Sequence, residues 1–127
     1  MDYILDTHVL LWSIFDSGKL SQPSKKILLD KNSCKFISIC TMWEISIKNR
    51  IGKLSLPNGI SSIFYVVESR GYGIVGIDHQ HLEIYNTLPL LHRDPFDGII
   101  VSTAIFEDMT IITSDDNIKQ YDVPWAW

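Results

Sequence analysis

The sequence predicts a three-layer α/β/α domain around a central parallel sheet, and three observations carry that prediction. Short apolar runs ended by a turn or an acid alternate with helical stretches of about a dozen residues. Parallel neighbours require crossovers of that kind, and the crossovers are nearly always right-handed. The length of 127 residues, 46% hydrophobic and 11% aromatic, supports one core and hence a single domain over residues 1–127.

The elements follow in order. Tyr3-Ile4-Leu5 is a buried-strand run closed by Asp6-Thr7, a strand end that also suits a helix cap. A helix continues from His8 to Phe15 and stops near Gly18. A second helix spans Ser21 to Lys31, with Pro23 in its first turn and Ile27, Leu28 and Leu29 as its buried side. Phe36-Ile37-Ser38-Ile39 returns as a strand. Thr41 then opens a helix whose Ile47, Ile51 and Leu54 recur at helical spacing until Gly52 and Pro57, with Lys48, Arg50 and Lys53 on a basic outer face. Ile60 to Arg70 is the next helix, and Gly73 to Ile77 the next strand. Asp78 caps a short helix ended by Pro89. His92-Arg93-Asp94-Pro95 leads into a helix from Phe96 to Glu107, and Thr110 to Thr113 is the following strand. The tail Trp125-Ala126-Trp127 carries two large rings that should dock on the body.

Composition narrows the partners. The net charge of −4 supplies no general basic field for a polyanion, so any nucleic-acid binding is local or bridged by a metal. Cys34 and Cys40 are too few for a disulfide framework or a zinc cage and are expected as buried, reduced thiols. Asp2 and Asp6 stand where a signal peptide would carry basic residues, and no apolar run nears the ~20 residues of a membrane span. A cytoplasmic protein without a membrane segment is expected.

In open parallel sheets the ligand crevice lies beyond the carboxyl ends of the strands. Asp6 and Asp115 follow strands directly, Glu44 sits one turn into a helix after a strand, and Asp94 and Asp97 share one face at the start of the late helix. Gathered carboxylates repel one another and either take up protons or recruit a hard cation, magnesium or manganese. Ions held there orient and activate a water against a phosphodiester. Each acid also has a structural explanation. Thr41-x-x-Glu44 reads as a capping box, Asp94-Pro95-x-Asp97 as an N-cap with a dipole-favoured acid, Asp115 as a cap and Asp6 as a turn residue. The group of acids, with Asp6 ending an apolar strand, favours the functional reading.

Other features carry less. His92-Arg93-Asp94 echoes a kinase catalytic loop, but Ile99 replaces the asparagine and no glycine-rich loop is present. His79 and His81 lie two apart in a helix, point to different faces and are expected at the surface. Lys25-Lys26 and the Lys48, Arg50, Lys53 face read as solvated surface, with Lys48 also an ion-pair partner of Glu44 and a phosphate-contact candidate.

The order of motifs, Asp6-Thr7, then Trp43-Glu44-Ile45 with Lys48 and Gly52-Lys53-Leu54, then His92-Arg93-Asp94-Pro95-Phe96-Asp97, then Thr113-Ser114-Asp115, resembles the PIN-domain toxins of the VapC type across essentially the whole chain. The resemblance implies a PIN-like fold and a Mg2+- or Mn2+-dependent endoribonuclease of a type II toxin–antitoxin system. Its partners would be an RNA substrate, a cognate antitoxin that holds it inactive and a second copy in a homodimer. Matched by motif, Asp6, Glu44, Asp97 and Asp115 correspond to the family's catalytic metal site, with Asp115 acting directly or through water. Asp94 matches an additional acid and stands between outer ligand and N-cap. Thr7 and Thr113 match supporting hydroxyls, and His92 and Arg93 would contact substrate or order their loop. Gly98 departs from the pattern, because similar sequences usually carry arginine there, and this puts substrate positioning in question. The Ile60 to Val67 stretch is apolar enough for a dimer or antitoxin contact, or for the core.

Two rivals from other classes remain: a phosphoacceptor receiver domain with Asp78 as acceptor, and a non-catalytic RNA- or protein-binding module whose acids only cap helices.

Overall fold

The computed structural model describes residues 1–127. The elements run β1 (Asp2–Leu5), α1 (Thr7–Phe15), a 3-10 turn (Ser17–Lys19), α2 (Gln22–Leu29), β2 (Cys34–Ser38), α3 (Ile39–Arg50), α4 (Gly59–Ser69), β3 (Gly73–Val75), α5 (His79–Thr87), α6 (Pro95–Glu107), β4 (Thr110–Ile112), α7 (Asp116–Lys119) and β5 (Trp125–Ala126). All five strands are parallel, in the order β3-β2-β1-β4-β5. The chain leaves β1 toward β2 and later returns to its other side with β4. That makes the gap between β1 and β4 the switch point of the sheet, where a crevice opens beyond the strand ends.

The two faces follow the period-two alternation of the strands. Leu5, Ile37 and Ile112 point to one face and pack with Val9 and Leu10 of α1, Met42 and Ile45 of α3, and Ile63 and Val67 of α4. Ile4 and Ile111 point to the other, where Ile100, Val101 and Ala104 of α6 and Ile118 of α7 cover them. Ile60 and Phe64 also pack against the first core, so α4 is chiefly an inward-facing helix with Tyr65 exposed.

Several expectations need correction. The fifth strand went unforeseen, because a two-residue strand has no periodicity to read. Backbone pairing of Trp125 with Ile111 and an edge-to-face contact of Trp127 with Trp12, 6.0 Å between centroids, dock the tail as expected. Helix α3 begins at Ile39, two residues before Thr41, because the Ser38 hydroxyl accepts from the Cys40 N–H. The capping-box reading of Thr41 and Glu44 therefore fails. Leu29, expected inside, is 80% exposed at the end of a short α2. Cys40 is buried as expected, but Cys34 is exposed, and both thiols are free. His81, expected at the surface, is completely buried between α5 and α6, while His79 is exposed.

Gly98 has a packing explanation. A Cβ there would lie 2.8 Å from the Tyr85 ring of α5, so glycine lets α5 approach α6 closely. The receiver alternative loses its geometry. Asp78 follows β3, an edge strand separated from β1 by β2, whereas a receiver's acceptor strand lies in mid-sheet. No helix is long and apolar enough to cross a membrane.

Candidate functional site

The central strand delivers the first acid. Asp6 follows β1, and its N–H donates to the Ile112 carbonyl of β4 at 3.1 Å, so its side chain emerges at the switch point. Both carboxylate oxygens are held: the Thr113 hydroxyl donates to Oδ2 at 2.9 Å and the His8 N–H to Oδ1 at 3.3 Å. Asp6 thereby caps α1 from an almost wholly buried position. Burial raises its carboxyl above the usual range, against the lowering effect of the Thr113 hydrogen bond. The Thr113 oxygen in turn accepts from the Asp115 N–H at 2.9 Å, which ties the acids after β1 and β4 through one hydroxyl.

Helix α3 brings Glu44, buried and clamped at both oxygens. Thr7 donates to Oε1 at 2.8 Å, and the Lys48 ammonium lies 3.1 Å from Oε2. Thr7 also meets the Thr41 hydroxyl at 3.1 Å. Thr7 has one hydroxyl proton and directs it to the carboxylate, so Thr41 must be the donor in that contact. The result is a directed relay, Thr41 to Thr7 to Glu44. Thr7 is a site residue expected from the sequence; Thr41 is not, its only local signal being its place three residues before Glu44.

Helix α6 adds Asp97. Asp94 caps it, accepting from the N–H groups of Phe96 at 2.8 Å and Asp97 at 3.3 Å. Asp97 is 7% exposed, and its Oδ2 is paired with His92 Nε2 at 3.1 Å. Desolvation, reinforced by the negative charges of Asp94, Asp6, Asp115 and Glu44, pushes its carboxyl up to about 8. Four acids, Asp94, Asp6, Asp115 and Glu44, thus act on the fifth, Asp97. Beside them Cys40 is no thiolate ligand, since burial pushes its thiol up to about 11.

The capping explanations divide the acids. Asp6, Asp94 and Asp115 each cap a helix, Asp115 by accepting from the Asn117 N–H at 2.9 Å. Glu44 and Asp97 are buried and cap nothing. Lys48 and His92 each sit on one of these two acids, and Arg93 is exposed. Carboxylates in such numbers, with the Lys48 ammonium and the His8 and His92 rings as their nearest basic groups, form a donor set dominated by oxygen and suited to a hard divalent cation. His92, Asp94 and Asp97 alone bring three ligating atoms within 4.8 Å of one another.

The PIN domain family model matches residues 3–124. Among solved structures, the chain is similar to VapBC2 from Rickettsia felis, bound to a DNA fragment from its promoter, with 21% identity, TM-score 0.77 and coverage of 99% and 98% of the two chains. It is also similar to VapBC-1 from nontypeable Haemophilus influenzae, with 22% identity, TM-score 0.68 and coverage of 99% and 97%. A third similar structure is VapBC-5 from Mycobacterium tuberculosis, a member of the VapBC family of toxin–antitoxin systems, with 15% identity, TM-score 0.62 and coverage of 95% and 90%. No curated protein matches the sequence significantly.

Proposed function

The chain belongs to the PIN-domain family, and on that premise we propose that it is a divalent-cation-dependent endoribonuclease, the toxin member of a toxin–antitoxin pair. The observation that carries the reading is the pair Glu44 and Asp97, buried acids that cap no helix and face a shared excess of negative charge. Each has one basic partner, Lys48 on Glu44 and His92 on Asp97, but the acids gathered around Asp97 outnumber these partners, an excess that a purely structural role does not call for.

Asp6, Glu44 and Asp97 are the principal holders of the cation, with Asp115 completing the set directly or through a water and Asp94 further out. Magnesium or manganese, when bound, supplies an activated water and a positive charge for the phosphate oxygens. The chain's own work is placement. Thr113 and the His8 N–H hold Asp6 in one rotamer, Thr41 and Thr7 hold one oxygen of Glu44, and Lys48 holds the other. His92 orients Asp97 through Oδ2, while Oδ1 accepts no hydrogen bond from the protein and is free for a ligand. Lys48, partly exposed, and Arg93, exposed, are with His92 the candidates for contact with the substrate.

An antitoxin partner is supported by the toxin–antitoxin neighbour from M. tuberculosis. We further propose a homodimer, with the exposed Leu90, Leu91, Ile105 and Phe106 as candidate contacts, and a cytoplasmic location. The test is cleavage of a mixed pool of structured RNA by antitoxin-free protein, with manganese or magnesium, with chelator, and with Asp6→Asn. Cuts that need the ion and vanish in the variant support the reading. Absence of both cleavage and calorimetric divalent-ion binding turns it toward a non-catalytic RNA- or protein-binding module.

A further inference from the structure

We propose that Trp43 is the stacking platform for one base of a single-stranded RNA at the rim of the carboxylate site, an inference that rests on the ribonuclease reading above. Trp43 immediately precedes Glu44 on α3 and is 61% exposed. Its ring meets that of Phe96 at 5.4 Å between centroids and 74° between planes. Phe96 immediately precedes Asp97 and donates its N–H to Asp94. The indole thus bridges, on the outside, the two helices that deliver Glu44 and Asp97.

The contact with Phe96 fixes the ring without covering it. A pre-positioned aromatic surface loses little side-chain freedom on binding, which is what stacking on an unpaired base requires. The other tryptophans are less available: Trp12 and Trp127 pack on each other, and Lys119 lies 4.1 Å from the Trp125 ring centroid.

Electrostatics gives the second argument. A chain of net charge −4 gains little from counterion release, and its carboxylates repel phosphate until a cation is bound. Affinity for a polyanion must then draw on neutral contacts, and base–aromatic stacking is one that every base can make, because every base has a π-face. Ile39 at the start of α3 and Ile51 just past its end, also exposed, make a protein contact the competing occupant of this face.

The test uses fluorescence anisotropy with a labelled ten-nucleotide single-stranded RNA in the presence of manganese, in an Asp97→Asn background that keeps the RNA whole. Into that background go Trp43→Phe, Trp43→Ala and Trp43→Leu. Alanine and leucine are expected to weaken binding by about five- to a hundredfold, and phenylalanine by less than about threefold. Abasic substitution along the RNA is expected to find one position whose base matters with tryptophan present and ceases to matter in Trp43→Ala. Equal binding by all variants overturns the proposal. So does a loss of binding that accompanies a change of mass in analytical ultracentrifugation, which assigns Trp43 to a protein interface. The ribonuclease reading is judged apart, by whether the unsubstituted chain cuts RNA with manganese: cutting with Trp43-independent binding removes only the platform.

Discussion

Two clusters of acids and histidine lie on α6, and they are built on opposite principles. Near its C-terminus, His81 of α5 is sealed from solvent; its Nδ1 accepts from the Asp78 N–H at 3.0 Å, which leaves Nε2 to donate to Glu107 at 3.0 Å. Both ring nitrogens are satisfied, so no lone pair is left for a ligand and the cluster reads as a clasp between α5 and α6. Near its N-terminus, Asp97 lies among four other acids with one imidazole as its direct partner. The comparison teaches that residue type does not distinguish a structural site from a functional one. The balance of donors against acceptors does: the first cluster closes on itself, while the second has more charge than the protein neutralises.

The largest effect expected is on the open cluster's chemistry. Asp6→Asn should lower divalent-ion-dependent RNA cleavage by at least ~100-fold in single-turnover assays, beyond the tenfold to hundredfold typical of supporting residues. His81→Ala should leave manganese affinity unchanged in calorimetry. Retained cleavage in the first variant, or lost ion binding in the second, would erase the distinction between the clusters.

Next comes stability, where the clusters should respond in opposite directions. His81→Ala empties a sealed site and unpairs the Asp78 N–H and Glu107, a loss of about 3 kcal/mol by urea denaturation. Asp97 behaves otherwise. Its carboxyl keeps its proton to about 8 when folded, against 3.8 for the unperturbed group. Between those values the folded chain binds more protons than the unfolded one, so without divalent ions stability should fall as pH rises from about 4 to about 8, by an amount on the order of a few kcal/mol. Asp97→Asn should flatten that slope, and manganese at pH 8 should raise the stability of the unsubstituted chain more than that of the variant, which keeps Asp6, Glu44 and Asp115. A flat profile in the unsubstituted chain would mean that the acids do not share a field.

Smaller effects sharpen the picture. Thr41→Val breaks the relay to Glu44 and should weaken manganese binding about tenfold, whereas Thr41→Ser retains it. Gly98→Ala sets a Cβ 2.8 Å from the Tyr85 ring and should cost about 1 kcal/mol net. In a Tyr85→Ala background the same change should stabilise by up to about 1 kcal/mol, because only helix propensity remains. Thermal melts of the four proteins check the sign reversal.

Legibility from sequence differed between backbone and burial. Asp6 at a strand end, the Asp94-Pro95 helix start and the four longer strands could be read locally, because caps, prolines and apolar periodicity act within a few residues. Helix α3 was misplaced by two residues because Ser38 and Thr41 are both good caps, and local chemistry could not choose between them. His81 was misread because its partners, a backbone amide and Glu107, become visible only when α5 packs on α6. Leu29 erred the other way, since a short α2 turns its last residue outward.

What the sequence by itself determined is an alternation of strands and helices with acids placed at the junctions, for the periods of two and about 3.6 and the turn chemistry are properties of neighbouring residues. What only the tertiary structure decided is which acids meet. The order β3-β2-β1-β4-β5 sets the ends of β1 and β4 side by side and β3 at the edge, so Asp6, Glu44, Asp97 and Asp115 share one field while Asp78, equally well placed in the sequence, joins a histidine and stays outside it. Convergence of charge depends on distance through space, and that distance is fixed by strand order and helix packing rather than by separation along the chain.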